Sequence, residues 1–290
     1  MDISTIKLLN LNLPSPIEEI SNDLCKKKNV KLFIKRDDLI NPFISGNKWR
    51  KLKEYIEFAQ KNNLSGFISF GGAFSNHLYA LAYLGNKFNY RTIGIVRGDE
   101  LNECSNSYLS QMKSWGMELH FVSREDYRQK LIPISINNLS HLMQIPEGGY
   151  SLMGVSSISD LAKEISASGD FDYIILAVGT GTTAIGLAKA SQSKVLGIMT
   201  LFNLLELKSH QDELDIHSEN LKFIEPIDDL KYGKSKAEVV SFCDAFYHEN
   251  KIKIEPIYTG KMFYKLYQLI QSDYFPQNAR ILAIHTGGVK

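Results

Sequence analysis

The sequence predicts an α/β protein of two domains, each built on a parallel sheet flanked by helices. Three observations carry that expectation. Short apolar runs of strand length recur over most of the 290 residues. Stretches of helical period stand between them, the order that parallel strands joined by crossover helices require. A less regular region, residues 124–152, holds Pro133, Pro146 and the Gly148-Gly149 pair and separates two strand–helix series.

Strands are expected at Leu32–Arg36, Gly66–Phe70, Thr92–Val96, Glu118–Val122, Asp172–Val178, Val195–Thr200 and Arg280–His285. Helices are expected at Asn47–Asn62, Ser75–Phe88, Ser105–Trp115, Val155–Ser166, Thr182–Ser191, Ser235–Asn250 and Thr259–Gln271. In the first helix Trp49, Leu52, Ile56 and Ala59 follow the three-to-four spacing of a buried face. Arg50, Lys51 and Lys53 flank that stripe and are expected to face solvent or a phosphate.

Composition narrows the function. Hydrophobic content of 44% and charged content of 22% are ordinary for a soluble enzyme, and the length suffices for a real core. With 33 basic and 32 acidic residues the net charge is +1, which gives no footprint for nucleic acid or an anionic membrane. No apolar run reaches membrane-spanning length, and the amino terminus lacks the order of a secretory signal. Cys25, Cys104 and Cys243 are scattered and odd in number, which suits reduced core thiols in a cytoplasmic protein. The seven histidines show no zinc-ligand spacing, so no metal is expected.

In an open parallel sheet, ligands bind where strands end and loops lead into helices. Gly179-Thr180-Gly181-Thr182-Thr183 lies between the strand DYIILAV and the helix AIGLAKA. Its glycines can turn backbone N–H groups toward a ligand, and the helix start adds positive potential, so it can cradle an anion. A tight turn with a threonine cap is the plainer alternative. Gly-Lys-Ser/Thr is absent, which excludes a nucleoside-triphosphate loop. The loose dinucleotide fingerprint is met by Gly179, Gly181 and Ala184, but the next strand ends without an acidic residue for a ribose.

FGGAFSNH, residues 70–77, follows the strand GFISF. Ser75 is placed to cap the next helix, while Gly71-Gly72, Ser75, Asn76 and His77 together suit a substrate carboxylate. The Gly-x-Ser-x-Gly elbow of esterases is absent. Tyr258 opens a helix and Thr286 follows the last strand; alone, each reads as packing or as a strand end. Lys48, in SGNKWRKL, differs from a surface lysine because it sits in the first turn of a helix, where a cation opposes the dipole. Bringing a lysine from ~10.4 to 7 requires ~4–5 kcal/mol against ~0.3–1 from a helix terminus. Burial and covalent imine formation must supply the rest.

Taken in order, KRDDL, SGNKWRKL, FGGAFSNH, the Gly179–Thr183 loop, KYGKS, EPIYTGK and HTGG resemble the pyridoxal-phosphate enzymes of the tryptophan-synthase-β fold type II. More closely they resemble the family of D-cysteine desulfhydrase and 1-aminocyclopropane-1-carboxylate deaminase, from about Phe33 to the carboxyl terminus. The resemblance implies a large cofactor-binding domain of residues 1–44 and 150–290 and a small domain of residues 45–149. It implies that Lys48 holds pyridoxal 5'-phosphate as a Schiff base and moves the α-proton. Gly179, Thr180, Gly181, Thr182 and Thr183 would bind the phosphate, Asn76 the phenolic oxygen, and Thr286 the pyridine nitrogen. Ser75, Asn76 and His77, the last through its backbone, would seat the substrate. Tyr258 would lie by the ring or substrate, and Tyr232 in KYGKS matches a second active-site tyrosine.

The resemblance also separates two activities. The deaminases place a glutamate after the tyrosine matching Tyr258 and lack the threonine of HTGG; here those positions are Thr259 and Thr286. That is the desulfhydrase pattern, implying β-elimination from a small amino acid. Thr182 stands where the family often has glycine, and Phe74 where some members have glutamine. A homodimer is the family expectation.

Overall fold

A computed structural model of the chain describes residues 3–44, 46–201, 203–225 and 235–288. The chain forms two compact units, one of Met1–Leu11, Asn41–Ile44 and Lys48–Ser157, the other of Asn12–Ile40, Ser45–Asn47 and Ile158–Lys290.

In chain order the strands begin with β1 (Ile17–Ile20) and β2 (Lys31–Lys35), both in the larger unit. Next come β3 (Gly66–Gly71), β4 (Arg91–Arg97), β5 (Glu118–Val122) and β6 (Leu142–Ile145), all in the smaller unit. The larger unit resumes with β7 (Tyr173–Val178), β8 (Lys194–Met199), β9 (Leu221–Ile224) and β10 (Arg280–Ile284). The smaller sheet runs β5-β4-β3-β6, parallel throughout. The larger runs β1-β2-β10-β7-β8-β9, parallel except for β1, which pairs antiparallel with β2.

β10 shows why the larger unit is three layers deep. Its Ile281 and Ala283 join one apolar cluster with Leu32, Ile34, Phe246 and Phe263. Leu282 and Ile284 point to the other face and join Ile174, Leu176, Leu187 and Val195. Successive residues alternate faces, and both faces are covered, so the strand reads as an unbroken apolar run. β3 and β7 are likewise buried at every position. In the smaller unit Ile68, Phe70, Ile93, Ile95 and Val122 gather with Tyr127 and Ile136.

The α/β class with parallel sheets flanked by helices is therefore the observed one. The antiparallel edge strand β1, IEEI, is an addition: four residues with two glutamates carry too little apolar signal, and charge is common on an edge. The helix expected at Val155–Ser166 is two, Leu152–Ser156 and Ser159–Ala167. Ser157 Oγ donates to the Gly154 carbonyl at 2.8 Å, a local bond that competes with helix continuation. Cys25 and Cys243 are buried, but Cys104 is exposed, correcting its expected place in the core. Among the described residues no helix is long and apolar enough to cross a membrane.

Candidate functional site

In the smaller unit, Lys48 is the second residue of the helix Asn47–Lys61 and is partly buried. Loss of hydration lowers its ammonium pKa to about 8. Trp49 is buried, as its apolar spacing predicts, but Arg50 and Lys51 are only 3% and 4% exposed. This corrects the solvent-facing alternative expected for both. Lys51 turns inward because it has a partner there: its Nζ donates to the Gly148 carbonyl at 2.9 Å. Gly148 and Gly149 both have positive φ, 66° and 71°, so the turn that offers this carbonyl requires the glycine pair. Burial, and secondly the charge of Lys48, holds Lys51 well below the ordinary lysine range.

His77 belongs to the same neighbourhood. Ser69 Oγ donates its hydrogen to the Ile145 carbonyl at 2.7 Å, so at 2.9 Å from His77 Nε2 it accepts. The imidazole therefore carries its proton on Nε2 and leaves Nδ1 a bare acceptor, buried and without a partner. Burial first, then the charges of Lys48 and Lys51, pushes the ring down to about 3, so it stays neutral. Ser75 caps the helix Asn76–Phe88, its Oγ accepting from the Leu78 N–H at 3.2 Å. Asn76 opens that helix and is partly buried.

In the larger unit, the Gly179–Thr183 loop joins β7 to the helix Thr182–Ala190. Gly181 precedes the helix at φ 87°, and no side chain caps the helix start. A β-carbon on Gly179 would meet nothing within 4 Å. Thr182 is fully buried, and its hydroxyl pairs with that of Thr180 at 2.9 Å, so its side chain has a partner within the loop. Thr183 is 4% exposed, yet its Oγ1 has no partner. A buried hydroxyl left unpaired costs ~1–3 kcal/mol, and an anion on the uncapped helix start would satisfy it.

Thr286 follows β10 in a loop set by its neighbours. His285 Nε2 donates to the Lys253 carbonyl at 2.8 Å, and its Nδ1 accepts from the Gly287 N–H at 3.3 Å. Tyr258 stands at the start of the helix Thr259–Gln271 and packs partly against the unit's core. The cap of that helix is Glu255, whose carboxylate accepts from the N–H groups of Ile257, Tyr258 and Thr259. It also accepts from Thr259 Oγ1, at 3.0 Å.

Lys48, Ser75, Asn76 and His77 thus fall in the smaller unit, while Gly179–Thr183, Tyr258 and Thr286 fall in the larger. Tyr232 lies outside the described residues. Sequence reasoning missed Lys51, Ser69 and Glu255. The signal for Ser69 was present, a hydroxyl in an otherwise apolar buried strand. That for Glu255, four residues before Thr259, is visible only once the helix start is fixed.

Residues 9–287 match the family described as pyridoxal-phosphate dependent enzyme. The mitochondrial bifunctional D-cysteine desulfhydrase/1-aminocyclopropane-1-carboxylate deaminase of Arabidopsis thaliana is 26% identical, over 96% of this chain and 77% of its own. A 1-aminocyclopropane-1-carboxylate deaminase of Ralstonia pickettii is 24% identical, over 94% of this chain and 90% of its own. A solved structure described as an ACC deaminase homologue matches with a TM-score of 0.81 at 25% identity, covering 99% of this chain and 95% of that one. The residues present suit the cofactor: Lys48 offers an amine brought toward neutrality, and the unpaired Thr183 hydroxyl and uncapped helix start suit a phosphate. The chain belongs to the pyridoxal-phosphate-dependent enzymes, with the fold type II architecture, and is a lyase or deaminase of that kind.

Proposed function

We propose that this lyase carries out β-elimination on a small amino acid, with D-cysteine as the reference substrate. The products are hydrogen sulfide, ammonia and pyruvate: the Cα–H and Cβ–S bonds break, the resulting enamine takes a proton at Cβ, and one water hydrolyses the imine, breaking the C–N bond and releasing ammonia. The observation that carries this choice is the pair Thr259 and Thr286, the desulfhydrase pattern at the two positions where the related deaminases differ. Thr259 is fully buried and tied to Glu255, so residue 259 offers no carboxylate.

Pyridoxal phosphate, when bound, supplies the electron sink that makes an amino acid's α-proton acidic. The rest falls to this chain's own groups. The Lys48 amine, lowered to about 8 by burial, would hold the cofactor and, as the free amine, would be the base that takes the α-proton at Nζ. The Gly179–Thr183 backbone and Thr183 Oγ1 would hold the phosphate, and Asn76 the phenolic oxygen. The hydroxyl of Thr286 would face the ring nitrogen and would offer it no negative charge, leaving a gentler sink adequate for expelling a good leaving group. Ser75, Asn76 and the His77 backbone would orient the substrate carboxylate, and Tyr258 would act on the ring or the substrate.

The second reading is deamination of 1-aminocyclopropane-1-carboxylate, the activity for which the Arabidopsis and Ralstonia relatives are named. Keto-acid release from both substrates and from a panel of D- and L-amino acids decides between them. Pyruvate with sulfide from D-cysteine is expected. Faster 2-oxobutyrate release from the cyclopropane would overturn the proposal, and no keto acid from any substrate would leave a cofactor-binding protein with little turnover.

A further inference from the structure

The phosphate cradle is braced from a helix that none of its own residues belongs to. The helix Leu204–Leu214 starts from a capping box: Asn203 Oδ1 accepts from the Glu206 N–H at 3.0 Å, and the Glu206 carboxylate from the Asn203 N–H at 2.8 Å. This fixes which side chains the helix presents to the loop. Leu207 is fully buried and its Cδ2 lies 3.4 Å from where a β-carbon on Gly181 would stand. His210, three residues on and so on the same face, places Nδ1 3.0 Å from the Thr180 carbonyl oxygen.

A carbonyl oxygen only accepts, so His210 Nδ1 carries the hydrogen and donates. The peptide joining Thr180 to Gly181 is planar and trans, so its carbonyl and its N–H point in opposite directions. Holding the Thr180 carbonyl toward His210 therefore turns the Gly181 N–H away from His210. Gly181, at φ 87°, is a residue whose backbone can swing widely, and something must hold it. We propose that His210 is a positioning residue for the phosphate cradle, fixing the Thr180–Gly181 peptide so that the Gly181 N–H faces a bound phosphate. This rests on the assignment of Gly179–Thr183 as the phosphate loop.

The test compares binding of pyridoxal phosphate and of pyridoxal, which lacks the phosphate, to the full-length chain freed of cofactor and titrated by absorbance. His210→Leu keeps the packing and removes the donor. It is expected to weaken pyridoxal phosphate binding roughly two- to tenfold, the worth of one hydrogen bond, with pyridoxal unchanged. His210→Asn, whose amide nitrogen can take the place of Nδ1, is expected to restore the preference for the phosphorylated form, which a merely structural role would not. Inorganic phosphate, as competitor, should lose affinity in step with pyridoxal phosphate. Thr183→Val serves as the control for the loop itself. If Thr183→Val lowers the preference and His210→Leu does not, or if His210→Leu weakens both ligands alike, the positioning role is overturned and the loop assignment stands. If neither substitution alters the preference, the loop assignment fails and the inference falls with it.

Discussion

Gly46 and Thr286 touch backbone to backbone: a β-carbon on Gly46 would stand 1.7 Å from the Thr286 carbonyl oxygen and 2.1 Å from its carbon. The same turn is pinned on its other side. The Gly46 N–H donates to the Asp37 carbonyl at 2.8 Å, and the Asp37 carboxylate accepts from Ser15 Oγ at 2.6 Å. Three motifs remote in sequence, KRDDL, SGNK and HTGG, thus meet two residues ahead of Lys48. Gly46 also has φ 65°, so two separate reasons require glycine there.

The two reasons can be told apart by substitution. Gly46→Ala is expected to destabilise the chain by roughly 2–4 kcal/mol, measured by urea denaturation, because strain and backbone overlap add. Asparagine tolerates positive φ, so if φ were the whole cost Gly46→Asn would be much milder. The close approach to Thr286 predicts that it is nearly as damaging, and a near-neutral Gly46→Asn would contradict it.

This contact also marks the limit of what was legible in the chain. The strands buried on both faces, β3, β7 and β10, announced themselves as apolar runs, and the loops after them could be found by position alone. Gly46 and Thr286 could be flagged only as motif members, since their contact spans 240 residues of chain. Lys51 was misplaced because its spacing puts it beside the apolar stripe, and nothing in sequence shows the Gly148 carbonyl waiting for it. The short strands β1, β6 and β9 have mixed faces and carried too little signal.

Lys48 should reveal its lowered pKa in the kinetics of cofactor uptake. Only the neutral amine attacks an aldehyde, so attachment to cofactor-free chain should quicken about tenfold per pH unit below pH 8. It should level off above about 8, where the amine is already neutral. Stopped-flow absorbance across the pH range reads this directly. A rate still climbing toward ~10.4, the value of a free lysine, would show that burial does not tune this residue. Lys48→Ala should abolish borohydride-stable labelling altogether.

His77 makes a prediction about folding. Its folded pKa, about 3, lies below the unfolded value of 6.5, so between them the unfolded chain binds more protons. Its contribution to stability is complete above pH 6.5 and is lost progressively as pH falls toward 3. Glutamine can keep a donor toward Ser69 Oγ and does not titrate. His77→Gln should therefore flatten the acid limb of stability against pH by up to ~1.4 kcal/mol per pH unit. Parallel urea midpoints for the two proteins over that range would remove His77 from the account.

Residue 259 offers the sharpest test of how substrate choice is built in. The family resemblance implies a glutamate in the deaminases after the tyrosine that matches Tyr258, which invites Thr259→Glu as a conversion. The local structure argues against success by that change alone. Thr259 is fully buried, its Oγ1 lies 3.0 Å from Glu255 Oε1, and burial already raises the Glu255 pKa. A second carboxylate there would be a buried like charge beside Glu255 in place of a hydrogen-bond donor. Thr259→Glu is expected to cost about 3 kcal/mol or more, as breaking a buried charged cluster does, and to yield no 2-oxobutyrate from 1-aminocyclopropane-1-carboxylate. Adding Glu255→Gln removes the repulsion and should recover part of the lost stability. A stable, deaminating Thr259→Glu single variant would show instead that the loop around Glu255 adapts freely and that residue 259 alone sets the substrate.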